Sequence, residues 1–109
     1  RIETRGLDFT AVLAAGDSLA VGAMMGVQQR GYSVPGDVSV MGMDDLPQAS
    51  FLNPPLTTMH IPMREIGSVA LDLLRDSLSG LPMPPRRVEL ACHLVERAST
   101  GPRRQTGIA

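Results

Sequence analysis

Cysteine occurs once in the 109 residues, at Cys92, which excludes an intrachain disulfide and any all-cysteine metal cluster and leaves that side chain as a small hydrophobe. Tryptophan is missing, and the aromatic rings amount to one Tyr and two Phe. No apolar stretch approaches the roughly 20 residues that a membrane helix needs, so no membrane partner is expected. The opening "RIETRGLDFT" also lacks the apolar core of an export signal. Charge of neither sign dominates: ten Lys plus Arg stand against eleven Asp plus Glu, a formal net charge of -1, with no basic block beyond short arginine pairs. These residues do not make a nucleic-acid-binding module by themselves. Catalytic signatures are missing too. No Ser or Cys sits in a nucleophile elbow, no glycine-rich phosphate loop occurs, and the two histidines, His60 and His93, have no metal-ligand spacing. The expectation is therefore no enzyme, no metal site and no cofactor.

What is present suffices for one small core, with 43% hydrophobic and 19% charged residues. "FTAVLAA" (9–15) is an apolar run of strand length, and "GDSLAVGAMMGVQQRG" (16–31) follows with helical character. Asp17 is placed to cap the first free N–H groups and Gly31 to stop the helix. Leu19, Ala23 and Val27 share one stripe, while Val21, Met24 and Met25 extend onto other faces, so this helix should pack on a sheet and also on something else. "VPGD" (34–37) suits a type II turn, and "VSVMGM" (38–43) resumes as strand. Strand, helix, turn and strand in that spacing predict a βαβ unit with parallel neighbours. Near 48–52 a short helical turn is expected, and "LTTMHI" (56–61) reads as extended before Pro62. A second helix is predicted over 63–78, with its stripe at Ile66, Val69, Ala70, Leu73 and Leu74. "RVELAC" and "HLVERAST" read as two further extended segments, and 101–109 as a mobile tail. Parallel strands need neighbours on both edges, so the pattern is that of part of a larger α/β domain.

"VMGMDDLPQASFLNPPLTT" (40–58) sets two carboxylates at the end of a buried strand. Asp17 and Asp44 both follow the carboxyl ends of predicted parallel strands, the edge at which open α/β sheets bind ligands. A carboxylate there can accept two hydrogen bonds from a pair of sugar hydroxyls. For Asp17 the other reading is a plain helix cap, and for Asp44 with Asp45 an acidic turn.

In fixed order over residues 9–100, "FTAVLAAGDSLAVGAM", "GYSVPGDVSVMGMDDLPQASFLNPPLTT", "EIGSVALDLL" and "HLVERAST" resemble the C-terminal part of a regulator of the lactose/galactose repressor family. The resemblance implies an α/β, periplasmic-binding-protein-like core of two Rossmann-like lobes that closes on a small effector, usually a sugar or related metabolite. It further implies a cytoplasmic homodimer that reaches operator DNA through an N-terminal helix-turn-helix outside these residues. On that pattern 1–57 and 93–100 belong to the second lobe, 58–62 cross over, and 63–91 belong to the first lobe, most of which is absent here.

Residue by residue, the resemblance makes Asp44 the effector-contacting aspartate. Asp17 and Gly16 stand where members commonly carry an aspartate after an asparagine, and glycine deletes the asparagine amide. Met63 falls where a large cleft-facing residue is frequent, and His60 lies in the crossing segment. Val21, Met24 and Met25 are expected at the dimer interface. With so few rings, a stacked sugar would find its aromatic partner outside this chain. The alternative function is a transporter's solute-binding protein of the same two-lobed fold, distinguished by an export signal in place of the helix-turn-helix.

Overall fold

The computed structural model describes residues 6–103. The first five residues and most of the expected mobile tail, 104–109, lie outside them. Four strands form one sheet: β1 (Ala11–Leu13), β2 (Ser39–Asp44), β3 (Thr57–His60) and β4 (His93–Val95). They lie in that order, with β1, β2 and β3 parallel and β4 antiparallel to β3. Helix α1 (Asp17–Gln28) joins β1 to β2, which is the expected βαβ unit. A 3-10 turn (Pro47–Phe51) follows β2, and helix α2 (Met63–Leu78) follows β3.

The core lies between α1 and one face of the sheet. Ala20, Met24 and Val27 of α1 meet Val38, Val40, Ala49 and Leu56 there. This rotation differs from the expected one. Leu19 points outward at 66% exposure, and Met24, expected at an outer surface, is 3% exposed. Asp17 supplies the reason. Its carboxylate is drawn inward by two hydrogen bonds, and residues 20, 24 and 27 follow it onto the buried face at helical spacing.

Gly31 ends α1 as expected. Its φ is +82°, its N–H donates to the Gln28 carbonyl at 2.9 Å, and the Tyr32 N–H donates to Val27 at 3.2 Å, the Schellman arrangement. The type II turn at 34–37 does not form, since it needs a positive φ at Gly36 and only Gly31 and Gly80 have one among the described glycines. The Ser33 carbonyl instead accepts from the N–H groups of Asp37 (2.9 Å) and Val38 (3.2 Å), and the Asp37 carboxylate accepts from the Ser33 N–H at 2.8 Å.

β4 is tied to the sheet beyond its own pairing. Ser99 is buried; its hydroxyl donates to the Val40 carbonyl at 2.6 Å and accepts from the Thr57 N–H at 2.8 Å. α2 has the predicted bounds but no buried residue. The predicted strand at 87–92 has no sheet partner and stays irregular, its Val88 and Leu90 lying along the Ile66, Val69 and Leu73 stripe of α2. The chain is still paired in β3 at 58–60, where the crossover was expected, and leaves the sheet only at Ile61.

Candidate functional site

Parallel strands end on one edge, and the register places Asp44 of β2 directly beside His60 of β3. The first turn of α2 stands opposite. Between them lies a cleft of about 670 Å³ whose lining includes Asp44, Asp45, His60, Met63, Arg64 and Glu65. Three of the predicted site residues, Asp44, His60 and Met63, are thus brought together.

Asp44 is half-buried, and its carboxylate has no hydrogen-bond or salt-bridge partner among the described residues. Its backbone is strained, with φ +112°, and that of Asp45 follows at +55°. Non-glycine residues at positive φ cost on the order of 1–3 kcal/mol each and persist only where the surroundings impose them. Those surroundings are visible. The Asp45 N–H donates to Thr58 Oγ1 at 3.3 Å, and the next N–H, that of Leu46, donates to Asp17 Oδ2 at 2.8 Å. Asp45 Oδ1 accepts from Arg97 Nη2 at 2.7 Å, and its Oδ2 lies 2.9 Å from His60 Nδ1. The hydrogen bond from Arg97, then that from His60, holds the Asp45 carboxyl below its ordinary value of 3.8 against the opposing effect of burial. The two adjacent carboxylates therefore differ: Asp45 is consumed in fixing the turn, and Asp44 is left to the cleft.

Asp17 and Gly16 stand behind the cleft wall. Asp17 is 1% exposed, and its Oδ1 accepts from the Thr58 hydroxyl at 2.6 Å while Oδ2 holds the Leu46 N–H. Gly16 holds the N-cap position of α1, and both Asp17 oxygens are used away from the helix. The expected cap gives way to a cross-brace between α1, β3 and the turn after β2. That brace needs Gly42, because a Cβ there would collide with the Asp17 carboxylate and lie 3.0 Å from Leu56 Cδ2. Gly16 lies behind Asp44, where a Cβ would be 3.3 Å from Oδ2. Sequence reasoning missed Arg97 and Thr58. A second acid in an Asp-Asp pair signals a need for a cation, but nothing in the spacing indicates an arginine 52 positions away.

A family model of the periplasmic binding protein-like domain matches residues 3–100. The lactose operon repressor of Rhizobium radiobacter is 44% identical over 89 residues, covering 82% of this chain and 78% of that protein. The chain belongs to the lactose/galactose repressor family. Among solved structures, a regulator of this family from Enterococcus faecium with bound ribose superposes at a TM-score of 0.81 with 31% identity, covering 90% of this chain and 36% of that one. The lac repressor dimer bound to operator and the anti-inducer ONPF superposes at 0.76 with 36% identity, covering 84% of this chain and 32% of that one. The chain thus spans about a third of each of those two structures. Among the described residues no helix is long and apolar enough to cross a membrane.

Proposed function

We propose that this chain is the effector-sensing, dimerising part of a DNA-binding transcriptional regulator, and that a small sugar or related metabolite binds in the cleft at the ends of β2 and β3. The observation that carries the reading is the Asp44 carboxylate: half-buried, held on a strained backbone, and without a protein partner among the described residues. A polar group kept in that state is matched by a ligand that donates to it, and a sugar hydroxyl pair does so. His60 and Met63 line the same cleft. The bound ribose in the E. faecium relative supports a saccharide, and the operator complex of the lac repressor dimer supports a DNA-linked output. Residues 1–57 and 93–100 belong to one lobe and 63–91 to the other, with operator contact made by a helix-turn-helix outside these residues. The protein acts in the cytoplasm and performs no catalysis.

Dimerisation is assigned to the outer side of α1, where Val21 is half-buried and Met25 is 53% exposed. Met24 is excluded by its burial in the core.

Calorimetric titration of the full-length regulator with ribose, lactose and cellobiose tests the effector site. Asp44→Ala should weaken binding by about 2 kcal/mol, since a buried hydroxyl loses a charged acceptor. A change under about 0.5 kcal/mol would count against the assignment. Sedimentation of Val21→Asp and Met25→Asp tests the interface, and an unaltered dimer affinity would reject it.

A further inference from the structure

Arg97 touches two things. Its Nη1 donates to the Leu56 carbonyl at 2.8 Å and its Nη2 to Asp45 Oδ1 at 2.7 Å, with both charged side chains only 19% exposed. The remaining oxygen of Asp45 meets His60 Nδ1 at 2.9 Å. An ionised carboxylate can only accept, so the hydrogen of that contact sits on Nδ1. A neutral imidazole carries one N–H, which leaves Nε2 of His60 as an acceptor, and no partner holds it among the described residues. One face of the ring is also held, stacked on His93 with centroids 4.6 Å apart and planes at 29°.

We propose that Arg97 is a positioning residue that acts through Asp45 to fix neutral His60 as its Nδ1–H tautomer, so that His60 Nε2 and the Asp44 carboxylate form a double-acceptor edge selecting ligands with paired donors, such as vicinal hydroxyls. The two side chains come from register partners on adjacent strands, whose backbones run about 4.8 Å apart, and both line the one cleft. A phosphate or carboxylate presented to this edge meets acceptors and a negative charge. The opposite wall adds one charge of each sign, Arg64 and Glu65, and so no net positive charge. The ligand half of this inference rests on the effector reading; the positioning half does not.

The chain has only two histidines, so selective 15N labelling yields two rings to read. In long-range proton–nitrogen spectra recorded above the ordinary imidazole titration, His60 should show the Nδ1–H pattern. Asp45→Asn removes the obligate acceptor, and Arg97→Lys cannot hold Leu56 and Asp45 in one fork, so each should lower the Nδ1–H population several-fold. A predominant Nε2–H form in the unsubstituted chain would overturn the positioning claim, even if a variant failed to fold. So would an unchanged tautomer in both variants. In the full-length regulator, the neutral sugar that binds among ribose, lactose and cellobiose should bind at least about tenfold tighter than ribose 5-phosphate, and Arg97→Lys should weaken it although Arg97 does not line the cleft. Equal binding of the phosphate ester would overturn the acceptor edge. Failure of every sugar to bind would overturn the effector reading, and with it the ligand half, while the ring spectrum still decides the role of Arg97.

Discussion

Both helices carry apolar residues at helical spacing, yet only α1 buries them. Ala20, Met24 and Val27 of α1 vanish against the sheet, whereas on α2 Ile66 is 41% and Leu74 55% exposed. The stripe on α2 is the more regular of the two in sequence. Periodicity therefore fixes which face of a helix is apolar but not what covers it, and burial follows only where a sheet lies alongside. Polar bonding divides the same way. Around α1, Asp17, Thr58 and Ser99 are buried and satisfied. On α2 the Asp72–Arg75 pair, at 3.1 Å, has side chains 58% and 73% exposed, and such pairs contribute little.

The packing around α1 is most vulnerable at Gly42. Gly42→Ala forces a methyl into the Asp17 carboxylate and against Leu56, and should destabilise the chain by about 3 kcal/mol in urea unfolding. Asp17→Ala should cost about 2 kcal/mol, because the Thr58 hydroxyl and the Leu46 N–H lose their acceptor inside the fold. Combining the two should cost less than the sum, since the second substitution removes the atoms the first collides with. Strict additivity would show that Gly42 and Asp17 do not share one space.

Much of the architecture was legible beforehand because it is local. The βαβ unit, the stop at Gly31, the turn near 47–51 and the bounds of α2 each follow from residues within a few positions of one another. The cleft edge was legible in Asp44, since a carboxylate after a buried strand needs an explanation. What stayed hidden is non-local. The rotation of α1 depends on Asp17 reaching Thr58, 41 positions away, and the state of Asp45 depends on Arg97. An aspartate heading a helix reads as a cap in any sequence, and only the tertiary partner reveals that its carboxylate is used elsewhere. The strand expected at 87–92 fails for the converse reason: its β-type composition is local, but the segment runs along α2 and not along either edge of the sheet.

Acid acts on the polar network at the end of β2. The folded pKa of Asp45 is lowered, first by the Arg97 hydrogen bond, so the stability it contributes is present above the ordinary value of 3.8 and is lost as pH falls through the lowered value beneath it. Unfolding midpoints of the chain should drop over that acid window, and Asp45→Asn should remove this limb while lowering stability at neutral pH. An acid limb of the same depth in Asp45→Asn would place its origin in other carboxylates.

The smallest effect belongs to α2. Leu71→Gln and Leu74→Gln keep helix propensity nearly constant and remove side chains that are 66% and 55% exposed, so each should change stability by about 0.5 kcal/mol or less. Met24→Gln makes the same kind of replacement on α1 at a site 3% exposed, and should cost about 2 kcal/mol because the buried amide finds no partner. Hydrogen exchange reads the same contrast without substitution. Amides of β2, paired on both sides by β1 and β3, should exchange only with global unfolding, and those of α2 should exchange through local opening at much lower free energy. If α2 proved as protected as β2, its stripe would have to be buried against something, and the two helices would no longer differ in kind.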